Sequence, residues 1–220
     1  MATVSGEIFE PLVFSRRWDQ PLQLICKRAL DVLFSGVLLV LVAPLVLLLG
    51  ILVKLTSPGP MFYQWRVVGK GGRRFTGYKI RSMVVDADEL KSQLEHRNEM
   101  SGPVFKVEGD PRVTPLGHWM RRYSLDELPQ FYSVFRGDMS LVGPRPPLYS
   151  EYERFTEYQK QKLAVKPGIT CLWQISGRNK ISDFNEWVRL DLEYIRCWSL
   201  WLDLRILLKT CGAVLTGSGK

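Results

Sequence analysis

Apolar and polar positions divide this chain into two unlike stretches. From Val32 to Val53 the sequence VLFSGVLLVLVAPLVLLLGILV carries no charge and holds Pro44 near its middle. Its 22 residues would rise roughly 33 Å as a straight helix, about the hydrocarbon thickness of a bilayer. A helix buried in a soluble core would ordinarily keep a polar stripe, and this run has none. A secretory leader fits poorly, because the run starts late, exceeds the usual apolar length and lacks a following small-x-small cleavage site. The pattern predicts a membrane helix, ended sharply by Thr56-Ser57-Pro58-Gly59-Pro60.

The remainder alternates short apolar runs with polar ones. Residues 1–26, with Pro11 and Pro21 and no sustained period, read as an N-terminal arm. MFYQWRVVG and RRFTGYKIRSM predict two strands around Gly69-Lys70-Gly71-Gly72. Polar helices are expected over Val84–Met100 and Ser150–Leu163, the second closed by Val165-Lys166-Pro167-Gly168, and another helix over Asp183–Ile195. Leu125, Leu128, Phe131, Tyr132 and Phe135 have helical spacing. Tyr194–Val214 mixes Trp198, Trp201 and leucines with Arg196, Asp203, Arg205 and Lys209, too charged to span a bilayer. It suits either a helix in the headgroup region or a core helix under the domain. The expected class is α+β and helix-rich: the arm, a membrane helix-hairpin over 27–59, and a catalytic domain with interfacial helices over 60–220.

Charge bears on how the apolar helix sits. Arg16, Arg17, Lys27 and Arg28 precede it; Lys54, Arg66, Lys70, Arg73, Arg74, Lys79 and Arg81 follow it. A spanning helix should leave one side poor in Lys and Arg. Two basic flanks favour entry and exit on one face, with Pro44 as the break, although proline kinks also occur in ordinary spanning helices. The net charge of +8 suits an anionic lipid surface or a phosphorylated ligand. No nucleic-acid-binding signature is present, and nucleic acid is excluded as a partner. Cys26, Cys171, Cys197 and Cys211 have no metal or redox spacing and read as reduced thiols.

Candidate chemistry concentrates in Met120-Arg121-Arg122-Tyr123-Ser124-Leu125-Asp126-Glu127-Leu128-Pro129-Gln130. Ser124 and Glu127 have capping-box spacing, so a plain helix start explains them; Pro129 fits better if Asp126 is the cap. In both registers Asp126 lies at a helix N-terminus, where carboxylates and phosphates are favoured. Adjacent carboxylates with nearby arginines also suit a divalent metal and a diphosphate, and an aspartate can accept a phosphoryl group. Two more clusters, Gly137-Asp138-Met139-Ser140-Leu141-Val142-Gly143-Pro144-Arg145-Pro146 and Lys166 to Asn179, are equally compatible with rigid turns and with ligand loops.

Taken in order, KRALDV, YKIRSM, DPRVTPLG, SLDELPQ, GDMSLVGPRP and KPGITCLWQISGRN resemble the bacterial sugar transferases, the monotopic phosphoglycosyl transferases that act on polyprenyl phosphate. The resemblance runs from about Lys27 to Leu208. It implies transfer of a hexose 1-phosphate from a nucleoside diphosphate sugar, in most cases a UDP-sugar, to undecaprenyl phosphate, with release of UMP. It further implies Mg2+, a re-entrant helix bent near Pro44, a role in exopolysaccharide or glycoconjugate synthesis, and a place on the cytosolic leaflet of the bacterial inner membrane. A homodimer is kept open as the assembly.

Residue by residue, the resemblance makes Asp126 the nucleophile and Glu127 its partner, both available to the metal. Lys79, Arg81, Arg121 and Arg145 match phosphate contacts, and Gln174, Arg178 and Asn179 are nucleotide or sugar loop candidates. Two departures stand out. Ala43 replaces the serine that many relatives carry before the proline, so the bend must be held some other way. Cys171 replaces a glycine, a cost of roughly 1 kcal/mol if that position needs positive φ. The sequence resembles the minimal type, without further N-terminal membrane helices. A glycosyltransferase moving the sugar alone, and a non-catalytic scaffold of polysaccharide assembly, are the competing functions.

Overall fold

A computed structural model gives the fold, describing residues 14–177 and 181–217. A single helix, α1, runs from Pro21 to Thr56. It therefore takes in the last residues of the stretch expected to be an irregular arm. Pro21 stands in its first turn, where a missing N–H leaves nothing unpaired, and a 3-10 turn at Arg16–Asp19 precedes it. Pro44 lies inside α1, and the helix ends at the Pro-Gly-Pro stop.

Antiparallel strands β1 (Phe62–Val68) and β2 (Arg74–Ile80) form the expected hairpin, with Tyr63 opposite Lys79 and Trp65 opposite Gly77. Its turn places Gly71 and Gly72 at φ 65° and 80°, conformations that glycine adopts without a Cβ clash. The polar stretch after it is only a turn, α2 (Ala87–Leu90), followed by a 3-10 segment at Ser92–Arg97. It lacks the apolar face that would hold a longer helix against the core.

Next come α3 (Pro115–Arg122), a 3-10 turn at Leu125–Glu127, and α4 (Gln130–Arg136). The continuous helix expected from Leu125 is divided because Pro129, without an N–H, sits at the junction. Strand β3 (Ser140–Val142) follows, then single turns α5 (Tyr149–Tyr152) and α6 (Glu157–Lys160), and β4 (Gly168–Thr170). The polar helix expected over 150–163 is thus broken; Thr156 and Gln159 cap each other's backbone and restart the chain there. Strands β3 and β4 pair in parallel. Their approach needs glycine: a Cβ on Gly168 would stand 2.1 Å from the Gly143 nitrogen. The remaining helices are α7 (Leu172–Ile175), α8 (Phe184–Cys197), capped by Asp183, and α9 (Leu200–Leu215), capped by Ser199.

The main core gathers Trp65, Val67, Val134, Met139, Tyr194, Ile195, Trp198 and Ile206. A second cluster joins Leu49 and Val53 of α1 to Ile80 of β2, Met120 of α3 and the partly buried Leu125. That cluster fixes the turn containing Asp126 against the membrane helix. α9 packs one side on the core and leaves apolar residues on the other: Asp203 and Ile206 are buried, while Trp201 and Leu208 are 66 % and 64 % exposed.

Both ends of α1 are pinned to the domain by polar contacts. Lys27 Nζ donates to Asp203 Oδ2 at 2.6 Å and to the Val142 carbonyl, and Asp203 also accepts from Tyr194 and Trp198. Arg28 covers the Val134 and Phe135 carbonyls, and Asp31 accepts from Ser140 Oγ and Leu141 N–H. At the far end the Arg81 guanidinium donates to the carbonyls of Ser57, Pro58 and Pro60.

Candidate active site

Backbone geometry sets the centre of the site. Ser124 is in the left-handed region at φ 53°, the one non-glycine with positive φ among the described residues. It carries no side-chain cap, so the expected capping box is absent. The strain, of order 1–3 kcal/mol, turns the chain sharply out of α3 into the 3-10 turn. Asp126 and Glu127 ride on that turn, ahead of α4 and not on its first turn.

Two elements bring charge to the pair. Lys79 on β2 places Nζ 2.9 Å from Glu127 Oε1 and 4.2 Å from the centre of the Trp65 ring. Arg121, in the last turn of α3, is held by its Nε donating to Ser82 Oγ at 2.9 Å. The DPRVTPLG segment builds the support. Arg112 forms a buried bidentate pair with Asp110, Thr114 caps α3, and Gly117 lets the helix approach the Ser82 carbonyl, where a Cβ would stand 2.0 Å away.

Asp126 is 7 % exposed. Burial, and then the neighbouring Glu127 carboxylate, push its pKa above the ordinary aspartate value; Lys79 and Arg121 act against them. Burial pulls the Arg121 pKa down, while Asp126, Asp110 and Glu127 oppose the fall. A desolvated carboxylate beside two cations is strained as a free ion. It is well placed to share its charge with an electrophilic phosphorus or a metal. Two adjacent carboxylates supply the all-oxygen donors that Mg2+ prefers, with waters and substrate phosphates completing its shell. Among the described residues no cluster of three or more His, Cys, Asp and Glu is placed to hold a metal alone.

The other sequence candidates fall elsewhere. Arg81 is buried and spends its donors on the end of α1. Arg145 lines a separate cleft of about 170 Å3 with Lys106, Lys162, Phe155 and Trp173. Gln174 caps α7, accepting from the Cys171 N–H at 3.0 Å. Cys171 itself is extended, at φ −146°, so the glycine it replaces was not required for positive φ. Arg178 and Asn179 lie outside the described residues. Sequence reasoning missed Trp65 and Ser82, the supports of Lys79 and Arg121; Ser82 stands inside YKIRSM, the only signal that could have found it.

A model of the bacterial sugar transferase family matches residues 22–217. The chain belongs to the bacterial sugar transferase family. Among relatives of this sugar transferase, the galactosyl transferase CpsE of Streptococcus agalactiae is 46 % identical over 97 % of this chain and 47 % of its own length. The undecaprenyl-phosphate galactose phosphotransferase of Salmonella typhimurium is 41 % identical over 88 % of this chain and 41 % of its own. The chain thus spans less than half the length of these two. It spans 90 % of the exopolysaccharide production protein ExoY of Rhizobium meliloti, at 41 % identity over 91 % of this chain.

Proposed function

We propose that this sugar transferase moves a hexose 1-phosphate from a UDP-sugar to undecaprenyl phosphate and releases UMP, as a membrane step of exopolysaccharide or glycoconjugate synthesis. The observation that carries the proposal is the desolvated Asp126–Glu127 pair set between Lys79 and Arg121. Relatives whose names include undecaprenyl-phosphate galactose and glucose phosphotransferases support the acceptor and the transferred group.

An Asp126 oxygen attacks the sugar-bearing phosphorus of the donor, and the bond from that phosphorus to the oxygen shared with the α-phosphate breaks. UMP leaves with the bond's electrons. An oxygen of the lipid phosphate then attacks the same phosphorus and returns the Asp126 carboxylate. No net proton is needed. Arg121 and Lys79 balance the phosphate charges, in a site where water screens them little. Lys79 also restrains Glu127, so that a single carboxylate is aimed at phosphorus. Asp126 and Glu127 would hold the Mg2+ that we assign to the site, and the ion would neutralise diphosphate charge when bound.

We assign α1 to the membrane as a re-entrant helix whose two ends share the cytosolic face of the inner membrane. The anchoring of Lys27 and Arg28 at one end, and of the Ser57–Pro60 carbonyls at the other, on one domain supports this. A straight span would separate those ends by the bilayer. The exposed apolar residues Val40, Leu41, Leu47 and Leu48 between them, and Trp201 and Leu208 of α9, suit lipid contact.

The test incubates protein in detergent or nanodiscs with UDP-sugars and undecaprenyl phosphate. UMP release, with a lipid diphosphate sugar as the other product, is expected; release of UDP would assign the chain to glycosyl transfer instead.

A further inference from the structure

Gly77 leaves a gap in the hairpin, and the Trp65 indole lies over it. The two residues face each other across the β1–β2 ladder. A Cβ on Gly77 would already touch Trp65 Cε3 at 3.4 Å and the Ser133 hydroxyl at 3.5 Å. A bare methyl would fit there, but the branches of valine or isoleucine, ordinary strand residues, would push the indole away. Residues 77 and 79 share a face of the strand, so a ring lying beside Gly77 also reaches its diagonal neighbour, Lys79. Lys79 Nζ accordingly stands 4.2 Å from the ring centre. Trp65 is buried, and the ion pair of Lys79 with Glu127 is partly so. The attraction between an ammonium and an aromatic face strengthens as water is removed, and indole is its best partner.

We propose that Trp65, seated over Gly77, is a positioning residue of the transfer: its ring holds the Lys79 ammonium at the carboxylate pair whether or not Glu127 binds it. The inference rests on the function proposed above, in which Lys79 both restrains Glu127 and balances phosphate charge. A lysine head on a flexible four-carbon stem fixes nothing unless it is itself fixed. Glu127 cannot supply that anchor alone, because each of the two would then be held only by the other. The ring supplies an anchor from the protein core. It is uncharged, so it holds the ammonium without cancelling the positive charge that a diphosphate needs. A second carboxylate in its place would hold Lys79 as firmly but would repel both the donor and Asp126.

The wild type must first release UMP from a UDP-sugar in the presence of undecaprenyl phosphate; failure there would overturn the proposed function and the inference together. Trp65→Leu should lower kcat/KM at least about tenfold, mostly through kcat, whereas Trp65→Phe, which keeps an aromatic face, should stay within about threefold. Gly77→Val displaces the ring without removing it and should match Trp65→Leu. The double variant Trp65→Leu/Gly77→Val should be no worse than the poorer single one; additive losses would mean that the two residues act apart and would overturn the seating. Tryptophan analogues of increasing ring fluorination at position 65 keep the shape and weaken the negative face, so log kcat/KM should fall steadily along the series. A flat series would leave Trp65 as packing and overturn the inference while UMP release stands. In a direct readout, the ε-methylene of 13C-labelled Lys79, identified by its loss in Lys79→Met, should be shifted upfield by the indole ring current. The shift should persist in Glu127→Gln and vanish in Gly77→Val. An ordinary lysine position in Glu127→Gln would show that the carboxylate alone holds Lys79, and would overturn the inference.

Discussion

Lys79 Nζ sits 2.9 Å from Glu127 Oε1 and at the same time over the ring of Trp65. The lysine is thus held from two sides, and its charge lowers the pKa of Asp126 against the burial that raises it. Replacing Lys79 with Met should remove that opposition. A raised pKa means that Asp126 takes up a proton at a higher pH, so the acid limb of kcat/KM should move upward in Lys79→Met. A pH profile of UMP release checks this; an unmoved limb would assign the limb to another group.

Asp126→Asn should be inactive and more stable than the wild type. The sign follows from linkage: the folded pKa lies above the unfolded one, so between them the native state binds more protons and stability falls as pH rises. Above its raised pKa the ionised Asp126 carries that full cost, and the neutral amide does not. Thermal denaturation should show a higher Tm for the variant at pH 7, each kcal/mol being worth about 2–4 °C at this chain length. The gain should shrink as pH falls through the raised pKa toward the ordinary aspartate range. A residual activity above about a tenth of wild type, a barrier change below roughly 1.4 kcal/mol, would exclude Asp126 as nucleophile.

Ser82→Ala tests Arg121 without deleting it. The guanidinium loses its Nε partner and keeps its charge, so donor KM should rise modestly while kcat falls further, about tenfold, through misplaced charge in the transition state. Arg121→Lys should be worse, since an ammonium cannot reproduce the planar fork. If Ser82→Ala were kinetically silent, Arg121 would be positioned by the α3 backbone alone.

Lys27 and Asp203 are a buried pair joining α1 to α9, with Tyr194 and Trp198 completing the carboxylate's shell. Lys27→Met leaves that carboxylate uncompensated and should cost about 3–5 kcal/mol. The double variant Lys27→Met/Asp203→Leu should recover part of the loss, which chemical denaturation of the two proteins would measure.

The parts legible in the sequence were those with a local signature. The apolar run, the Gly-rich hairpin and the helix opening at Asp183 follow from residues a few positions apart, and α8 matched its expected range closely. The Asp126–Glu127 pair was legible through SLDELPQ and its resemblance. What escaped depends on long-range partners. A guanidinium just past a strand looks the same whether it meets a phosphate or, as with Arg81, the carbonyls ending α1. Strands β3 and β4 are three residues each, too short for any period, and their pairing depends on Gly143 meeting Gly168 across the fold. The KRALDV segment gave no hint that Lys27, Arg28 and Asp31 hold the membrane helix to the domain.

The proposed topology can be tested through the same anchors. With its two ends tied to one domain, α1 should present Cys26 and an engineered cysteine at Gly71 to the same side. In vesicles of known orientation, a membrane-impermeant maleimide added on the cytosolic side should label both; a spanning helix would expose them on opposite sides. Pro44 removes one backbone donor from the middle of α1 and crowds the preceding turn, so it is the natural point of bending. Pro44→Leu restores the donor and favours a straight helix. That change should set the helix against its own anchors at Lys27 and Arg81, lowering activity and moving Cys26 out of reach of the cytosolic reagent in a fraction of molecules. With Ala43 supplying no hydroxyl to support a bend, nothing adjacent compensates for the lost proline. If labelling and activity were both unchanged in Pro44→Leu, the polar anchors and the basic flanks would suffice for re-entry. Lys27→Met combined with Arg81→Met should then be the variant that frees the arm to cross.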